Sequence, residues 1–229
     1  MEILKKSLRD IFDEKILFLS LIPIFISIVF WGILFYIFYD DINQYIKKLI
    51  EYIPFIQDGS FIATIIETIG GGFIYYQLVI ITSMTIVGIV ADKVVDRINE
   101  KYYLLEKHGF GTVTESIWIS IKQNFIFMFL FILFIPLMFV PIINIIINVF
   151  LWTILLKKPL FYDSISGFAN KNEFELLWQR DKLQLNIITI LNASLFLIPF
   201  LGVFVYIIQL IIFTHFNLER LYEIRNKNA

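Results

Sequence analysis

Two stretches of 32 residues, 125–156 and 183–214, contain no Asp, Glu, Lys or Arg, and each is interrupted near its middle. Pro136 and Pro141 break the first; Pro199 and Gly202 break the second. A helix crossing a bilayer needs about 20 apolar residues, so two crossings and a turn take more than about 40. A run of 32 residues is too short for two crossings and long for one. The prolines leave arms of 11 residues (125–135) and 15 residues (142–156). At 1.5 Å per residue these span roughly 16–22 Å, less than the ~30 Å hydrocarbon core. A helical hairpin that enters the bilayer and turns back fits these lengths, with a first arm that begins as early as Ser116. Two short tilted crossings are the rival arrangement and give the same topology. The two runs also resemble each other. "LFILFIPLMFVPIINI" and "ASLFLIPFLGVFVYII" share the pattern apolar-Ile-Pro-apolar-apolar, and superposing Pro136 on Pro199 gives an offset of 63 residues, a weak internal repeat.

Lipid is the solvent this composition asks for. Hydrophobic residues make up 59% of the 229, with 25 Phe, against about 45–50% in a soluble domain. The net charge of −1 gives no case for nucleic-acid binding. The absence of cysteine excludes disulfides and thiolate metal sites.

Residues 16–39 and 68–91 are two further uncharged stretches, each of 24 residues, or about 36 Å of helix, enough to cross with some tilt. The first is too long for the apolar segment of a signal peptide and has no Ala-x-Ala-like site after it, so a retained membrane helix is expected. Pro23 falls in its second turn, and Tyr36 and Tyr39 near its far interface. Before it, Ile3, Leu4, Leu8, Ile11 and Phe12 share one half of a helix and Lys5, Lys6, Arg9, Asp10 and Asp13 the other, an amphipathic segment suited to the interface. Residues 40–60 read as a polar loop with an apolar patch. Gly70, Gly71 and Gly72 open the second stretch and call for close helix contact or a flexible lead-in; no Gly-Lys-Ser/Thr follows to make a phosphate loop. Beyond Ala91, Val94, Val95, Ile98, Tyr102 and Leu105 share a face, so this helix continues into water until Gly109 and Gly111 stop it. "TVTE" (112–115) is a capping box for the next.

Basic residues fix the topology. Lys and Arg number four in 1–15, two in 40–60, five in 92–122, five in 157–182 and three in 217–229. The positive-inside rule places 40–60 outside and the rest in the cytoplasm. That holds only if each 32-residue run returns to its starting side. The expected fold is therefore an all-α integral membrane protein with two full transmembrane helices, two re-entrant (hemi-penetrating) helical hairpins and an amphipathic N-terminal helix. It divides into an interfacial helix (1–15), long helices (16–39 and 61–108), hairpin one (116–156), hairpin two (173–216) and a cytoplasmic tail (217–229), in one membrane domain.

Polar groups inside the apolar runs are the candidate site. Asn144 and Asn148, four apart, share a face; Asn186, Asn192 and Gln209 lie in or near hairpin two. Unpaired amides in lipid are costly, so these line a polar path or bond between helices. The second arms begin near Pro141 and Gly202, where free N–H groups attract anions, as broken helices do in transporters. Glu67 sits at the outer boundary; His108 and His215 lie near membrane boundaries, far apart in sequence. No His-Glu-x-x-His, nucleophile elbow or paired-carboxylate motif is present, so no enzyme, metal or cofactor is expected.

The order of parts resembles the CysZ-type sulfate permeases, which group with the etoposide-induced membrane proteins. The matching pieces are the amphipathic start, "KILFLSLIPIFISIVFWGILFY", a long helix running into "ADKVVDRINEKY", "FIPLMFVPIINIIINVFLW", the link "KKPLFYDSISGF" and "LFLIPFLGVFVYII". The resemblance implies a bacterial inner-membrane homo-oligomer with both termini cytoplasmic, in contact with the lipid bilayer and linked to sulfate uptake for cysteine synthesis. Sulfate-binding members carry a Gly-(Leu/Ile)-Arg type motif before the first long helix. Here that stretch reads Phe12-Asp13-Glu14-Lys15-Ile16, with Lys15 as the one cationic counterpart and two carboxylates that repel a dianion. The Tyr-Pro pair common at the link reads Lys158-Pro159. An anion path through Lys15, Pro141, Asn144, Asn148, Gly202 and Gln209 is one expectation. A non-transporting membrane scaffold with dry, packed hairpins is the alternative.

Overall fold

The computed structural model describes residues 2–51, 60–134, 137–138, 140–198 and 202–227. All regular structure among them is helical: α1 (Glu2–Ile11), α2 (Glu14–Ile37), α3 (Tyr39–Glu51), α4 (Phe61–Tyr102), α5 (Val113–Phe134), α6 (Pro141–Ile165), α7 (Lys171–Arg180), α8 (Lys182–Ser194) with a 3-10 turn (Leu195–Leu197), and α9 (Gly202–Lys227). Four segments are long and apolar enough to cross a membrane: Glu14–Ile37, Ala63–Tyr102, Val113–Phe134 and Ile142–Ile165. The sequence breaks at 135–136 and 199–201, including Pro136 and Pro199, lie outside the described residues.

The chain forms two compact units. One is Ile22–Ser83. In it α2 is apolar on every side, with Phe25, Phe30, Ile33 and Tyr36 exposed, which marks a lipid-facing helix. Pro23 lies in its third turn, because α2 starts at Glu14, earlier than the uncharged stretch implied. Trp31 Nε1 donates to Thr82 Oγ1 at 2.8 Å and Tyr75 OH to the Ile28 carbonyl at 3.0 Å. The segment expected as a loop after Tyr39 is instead helix α3 through Glu51. Asp40 and Asp41 in its first turn and Lys48 in its last complement the helix dipole, and Ile46 packs with Ile42 against Ala63. The glycine triplet makes no close helix contact at two of its positions: a Cβ on Gly70 or Gly72 meets nothing within 4 Å.

The other unit is Met1–Leu21 with Met84–Ala229. Its core lies along α6, where Leu151, Leu155, Leu156, Leu160, Phe161 and Ile165 are buried; Trp152 stacks on Phe196 with ring centroids 4.0 Å apart. α5 and α6 run past the charge-free stretch into both flanks, reaching 22 and 25 residues. Each is then roughly 33–37 Å long, so the arms are not limited to the short lengths read from charge alone. Lys122 points outward and Asp163 is buried and hydrogen-bonded, so neither ends its helix. α8 with its 3-10 turn spans only 182–197, about 24 Å, closer to the expected short arm. α9 continues without a break through 217–227, within the segment expected as the cytoplasmic tail, with Leu218 and Leu221 fully buried.

α4 stops at Tyr102, before the glycines expected to stop it. The backbone N–H groups of Tyr103 and Leu104 both donate to the Asn99 carbonyl, and the Asn99 side chain bonds both N–H and carbonyl of Leu105 at 3.0 Å. Leu104 takes the left-handed conformation, φ 52°, that the reversal requires. Gly109 and Gly111 serve packing instead. They let the strap 103–112 lie on the turn after α6, with His108 N–H donating to the Phe168 carbonyl and Gly111 N–H to the Ser166 carbonyl, each at 3.1 Å. Thr112 Oγ1 then accepts from the Glu115 N–H, the first half of the expected capping box; the Glu115 carboxylate accepts from Tyr162 OH at 2.7 Å.

Candidate functional site

Helix α9 carries a row of polar side chains into the core. Tyr206, Gln209, Thr214, His215 and Asn217 are each at most 3% exposed. Polar groups at such depth require partners, and α1, α6, α8 and the strap after α4 supply most of them.

At the charged end, His215 Nε2 lies 2.9 Å from Asp10 Oδ2, and both side chains are fully buried. Asp10 Oδ1 accepts from Lys101 Nζ at 2.5 Å and from Tyr102 OH at 3.0 Å. Tyr103 OH lies 3.0 Å from His215 Nδ1. A neutral ring fits the contacts: Nε2–H donates to Asp10, and Nδ1 accepts from Tyr103. At the N-terminus the apolar side of the amphipathic segment faces outward. Ser7 and Asp10 face the protein while Leu4, Leu8 and Phe12 are 56%, 59% and 75% exposed, as suits a helix whose outer side meets lipid.

Deeper in, Asp163 is 3% exposed. Ser116 Oγ donates to its Oδ1 at 2.6 Å and Tyr206 OH to its Oδ2 at 3.3 Å, and no cation pairs with it among the described residues. Gly88 makes room: a Cβ there would stand 2.9 Å from Ser116 Oγ and 3.4 Å from Asp163 Oδ2. Asn217 Nδ2 donates to Ser164 Oγ at 2.6 Å.

Between α8 and α9, Gln209 Nε2 donates to the Asn192 carbonyl at 2.8 Å. Gln209 Oε1 and Asn192 Nδ2, on the two residues of this bond, are buried and have no partner among the described residues; the same holds for Thr214 Oγ1 elsewhere on α9. Open valences of this kind ask for water or a solute.

The expected site residues divide accordingly. Gln209 belongs to this seam, with Asn192 as its unexpected partner. Asn144 and Asn148 come together but bond locally: Asn144 Nδ2 to the Met138 carbonyl at 2.7 Å, and Asn148 Nδ2 to Asn144 Oδ1 at 2.6 Å. Asn186 accepts from Lys157 Nζ. Lys15 is exposed, and its backbone N–H donates to Asp13 Oδ1. Pro141 and Gly202 are the first residues of α6 and α9; their side-chain surroundings, with that of Glu67, lie outside the described residues. Asp10, Ser116, Asp163 and Tyr206 were missed. Of these, Tyr206 had a signal in the spacing of Tyr206, Gln209, Phe213 and Asn217, which places three polar groups on one face of α9.

The family described as sulfate transporter CysZ/etoposide-induced protein 2.4 matches residues 3–206. The chain belongs to this family. No curated protein and no solved structure matches it. The match takes in Asp10, Ser116, Asp163, Asn192 and Tyr206 and ends before Gln209; with the exposed apolar helices it makes this a membrane protein of the sulfate-transporter type.

Outside the seam, α7 is tied to α9. Arg225 Nε and Nη2 each reach the Glu173 carboxylate at 2.9 Å. Burial alone would raise the Glu173 carboxyl. Donation from Arg225 and from the Asn170 N–H outweighs it and holds the group below its ordinary 4.5. A folded value below the unfolded one means that the clamp stabilises fully above 4.5 and is lost as the pH falls through the lower folded value. Melting temperatures taken from pH ~7 to ~3 should therefore drop less steeply in Glu173→Gln than in the wild type. Parallel acid limbs would refute the assignment.

Proposed function

We propose that the chain is a permease for a small anion, sulfate first among them, in a bacterial inner membrane, with both termini cytoplasmic and several copies assembled around the path. It is not an enzyme in this reading. α5–α6 and α8–α9 are hairpins that return to the side they start from, and reagents that label Lys93 should also label Lys158 and Lys171 from the same face.

Family membership supports the substrate class. The observation that carries the path is the Asn192–Gln209 pair, buried between apolar helices with one donor and one acceptor unfilled. A dehydrating anion needs fixed donors in a low-dielectric setting, and the amide of Asn192 offers one. The acceptor beside it holds a co-moving water. Asp10 and Asp163 are already occupied by hydroxyl, imidazole and ammonium donors, so their repulsion of the anion is blunted.

The test is uptake of radiolabelled sulfate into proteoliposomes. Gln209→Leu keeps the volume and removes the amide, and flux should fall about tenfold or more, a barrier increase of about 1.4 kcal/mol. Thermal stability should change by no more than about 1 kcal/mol, because the lost bond to the Asn192 carbonyl is offset by removal of the unfilled acceptor. Equal flux in the variant, or no sulfate flux in the wild type, would remove the permease reading and leave the scaffold.

A further inference from the structure

A second cavity has nothing to do with the seam. A cleft of about 310 Å³ opens where the charged ends of α5 and α6 meet α7. Its walls are aromatic: Phe161 packs on Phe174 and Trp178, and Phe110 closes edge-on against Phe174. Charges of both signs ring it, Lys158 and Lys171 with Glu115 and Glu175. No lysine of this ring lies within 4 Å of a ring carboxylate, and Lys158, Lys171 and Glu175 form no ion pair among the described residues.

The placement of these charges is costly for the protein itself. Lys171 is the first residue of α7, at the positive end of the helix dipole, where a cation is disfavoured. Lys171 and Glu175 are four apart with the lysine first, the weaker order for an i,i+4 pair. Neither helix stability nor internal pairing explains them.

The surroundings indicate what meets them. One turn along α5 from Glu115 begins a stripe of exposed apolar residues, Trp118, Phe125, Phe129 and Ile132, at 66%, 73%, 68% and 62%. Ile119, next to Trp118, lines the cleft. A groove with two cations and two carboxylates at its mouth, continuous with an apolar helix face, matches a molecule with a phosphate, an ammonium and long hydrocarbon chains. We propose that the cleft binds the headgroup of a zwitterionic phospholipid of the phosphatidylethanolamine type. The phosphate sits at Lys158 and Lys171, the ammonium at Glu115 and Glu175, and the acyl chains run along the α5 stripe. An anionic lipid shares the phosphate contacts but meets two carboxylates with no ammonium to offer.

Native mass spectrometry of the full-length protein, from micelles doped equally with phosphatidylethanolamine and phosphatidylglycerol of identical acyl chains, tests this. Wild type should retain the ethanolamine lipid by about threefold or more, the scale of one or two exposed ion pairs. Glu115→Gln with Glu175→Gln should bring the ratio to parity or below while lipid is still retained, a change of preference that misfolding does not produce. Lys158→Gln with Lys171→Gln should weaken both lipids alike. Excess soluble phosphoethanolamine should leave the bound lipid in place. Equal retention by the wild type, a ratio untouched by the glutamate changes, or displacement by soluble phosphoethanolamine would each overturn the proposal. Sulfate flux plays no part in these readouts, so the permease reading stands or falls separately.

Discussion

Asp10→Ala should destabilise the protein by about 3–5 kcal/mol, the usual penalty for breaking a buried charge network from one side. The carboxylate is fully buried and receives Lys101, Tyr102 and His215. Removing it leaves the His215 N–H and the Lys101 ammonium without their acceptor and frees α1 from α9. Unfolding of the detergent-solubilised protein, followed by tryptophan fluorescence, reads the loss. Asp13→Ala is the control: Asp13 lies 3.8 Å from Lys101 and 3.7 Å from Arg97 at the edge of the same cluster and accepts from the Lys15 N–H at the start of α2, and its removal should cost about 1–2 kcal/mol. Equal effects of the two substitutions would show that burial of Asp10 is not what ties α1 down.

Gly109→Ala should be nearly as damaging, at about 2–3 kcal/mol. A Cβ at this position would stand 2.3 Å from the Gly167 carbonyl carbon and oxygen and 2.5 Å from the Ser166 oxygen. All three are backbone atoms, so no rotamer relieves the overlap and the strap must lift from the turn after α6. Gly72→Ala makes the contrast. Its Cβ meets nothing within 4 Å, in the interior of α4, and alanine should stabilise by about 0.5–1 kcal/mol through helix propensity. Similar melting shifts for the two alanines would contradict the close approach at Gly109.

These positions show how far the sequence could be read. The long apolar helices were legible because charge-free length against bilayer thickness is a strong constraint. Their ends were not. Charge marks where lipid is expected to stop, but Lys122 turns outward and Asp163 finds two hydroxyl donors, so α5 and α6 pass both. α3 was hidden among polar residues because its support is an apolar contact with Ala63, which local composition does not reveal. Asp10 was grouped with Lys5, Lys6, Arg9 and Asp13 on the polar half of an interfacial helix. That this half packs on α9 and buries Asp10 depends on His215, a partner 205 residues away, which no local pattern reveals. Gln209 was found for the right reason, the cost of an amide among apolar residues, whereas Asn144 satisfies that cost with the Met138 carbonyl just before α6 and Asn148 with Asn144.

Arg225 bears on how the molecule moves. Its guanidinium joins the Glu106 carbonyl, the Phe168 carbonyl and Glu173, each at 2.9 Å, while the strap is bonded to the turn after α6 beside it. One side chain on the last helix thus rivets the outlet of α4, the outlet of α6 and the start of α7 into a single plate. The strap, the turn after α6 and the start of α7 therefore move as one body wherever these bonds hold.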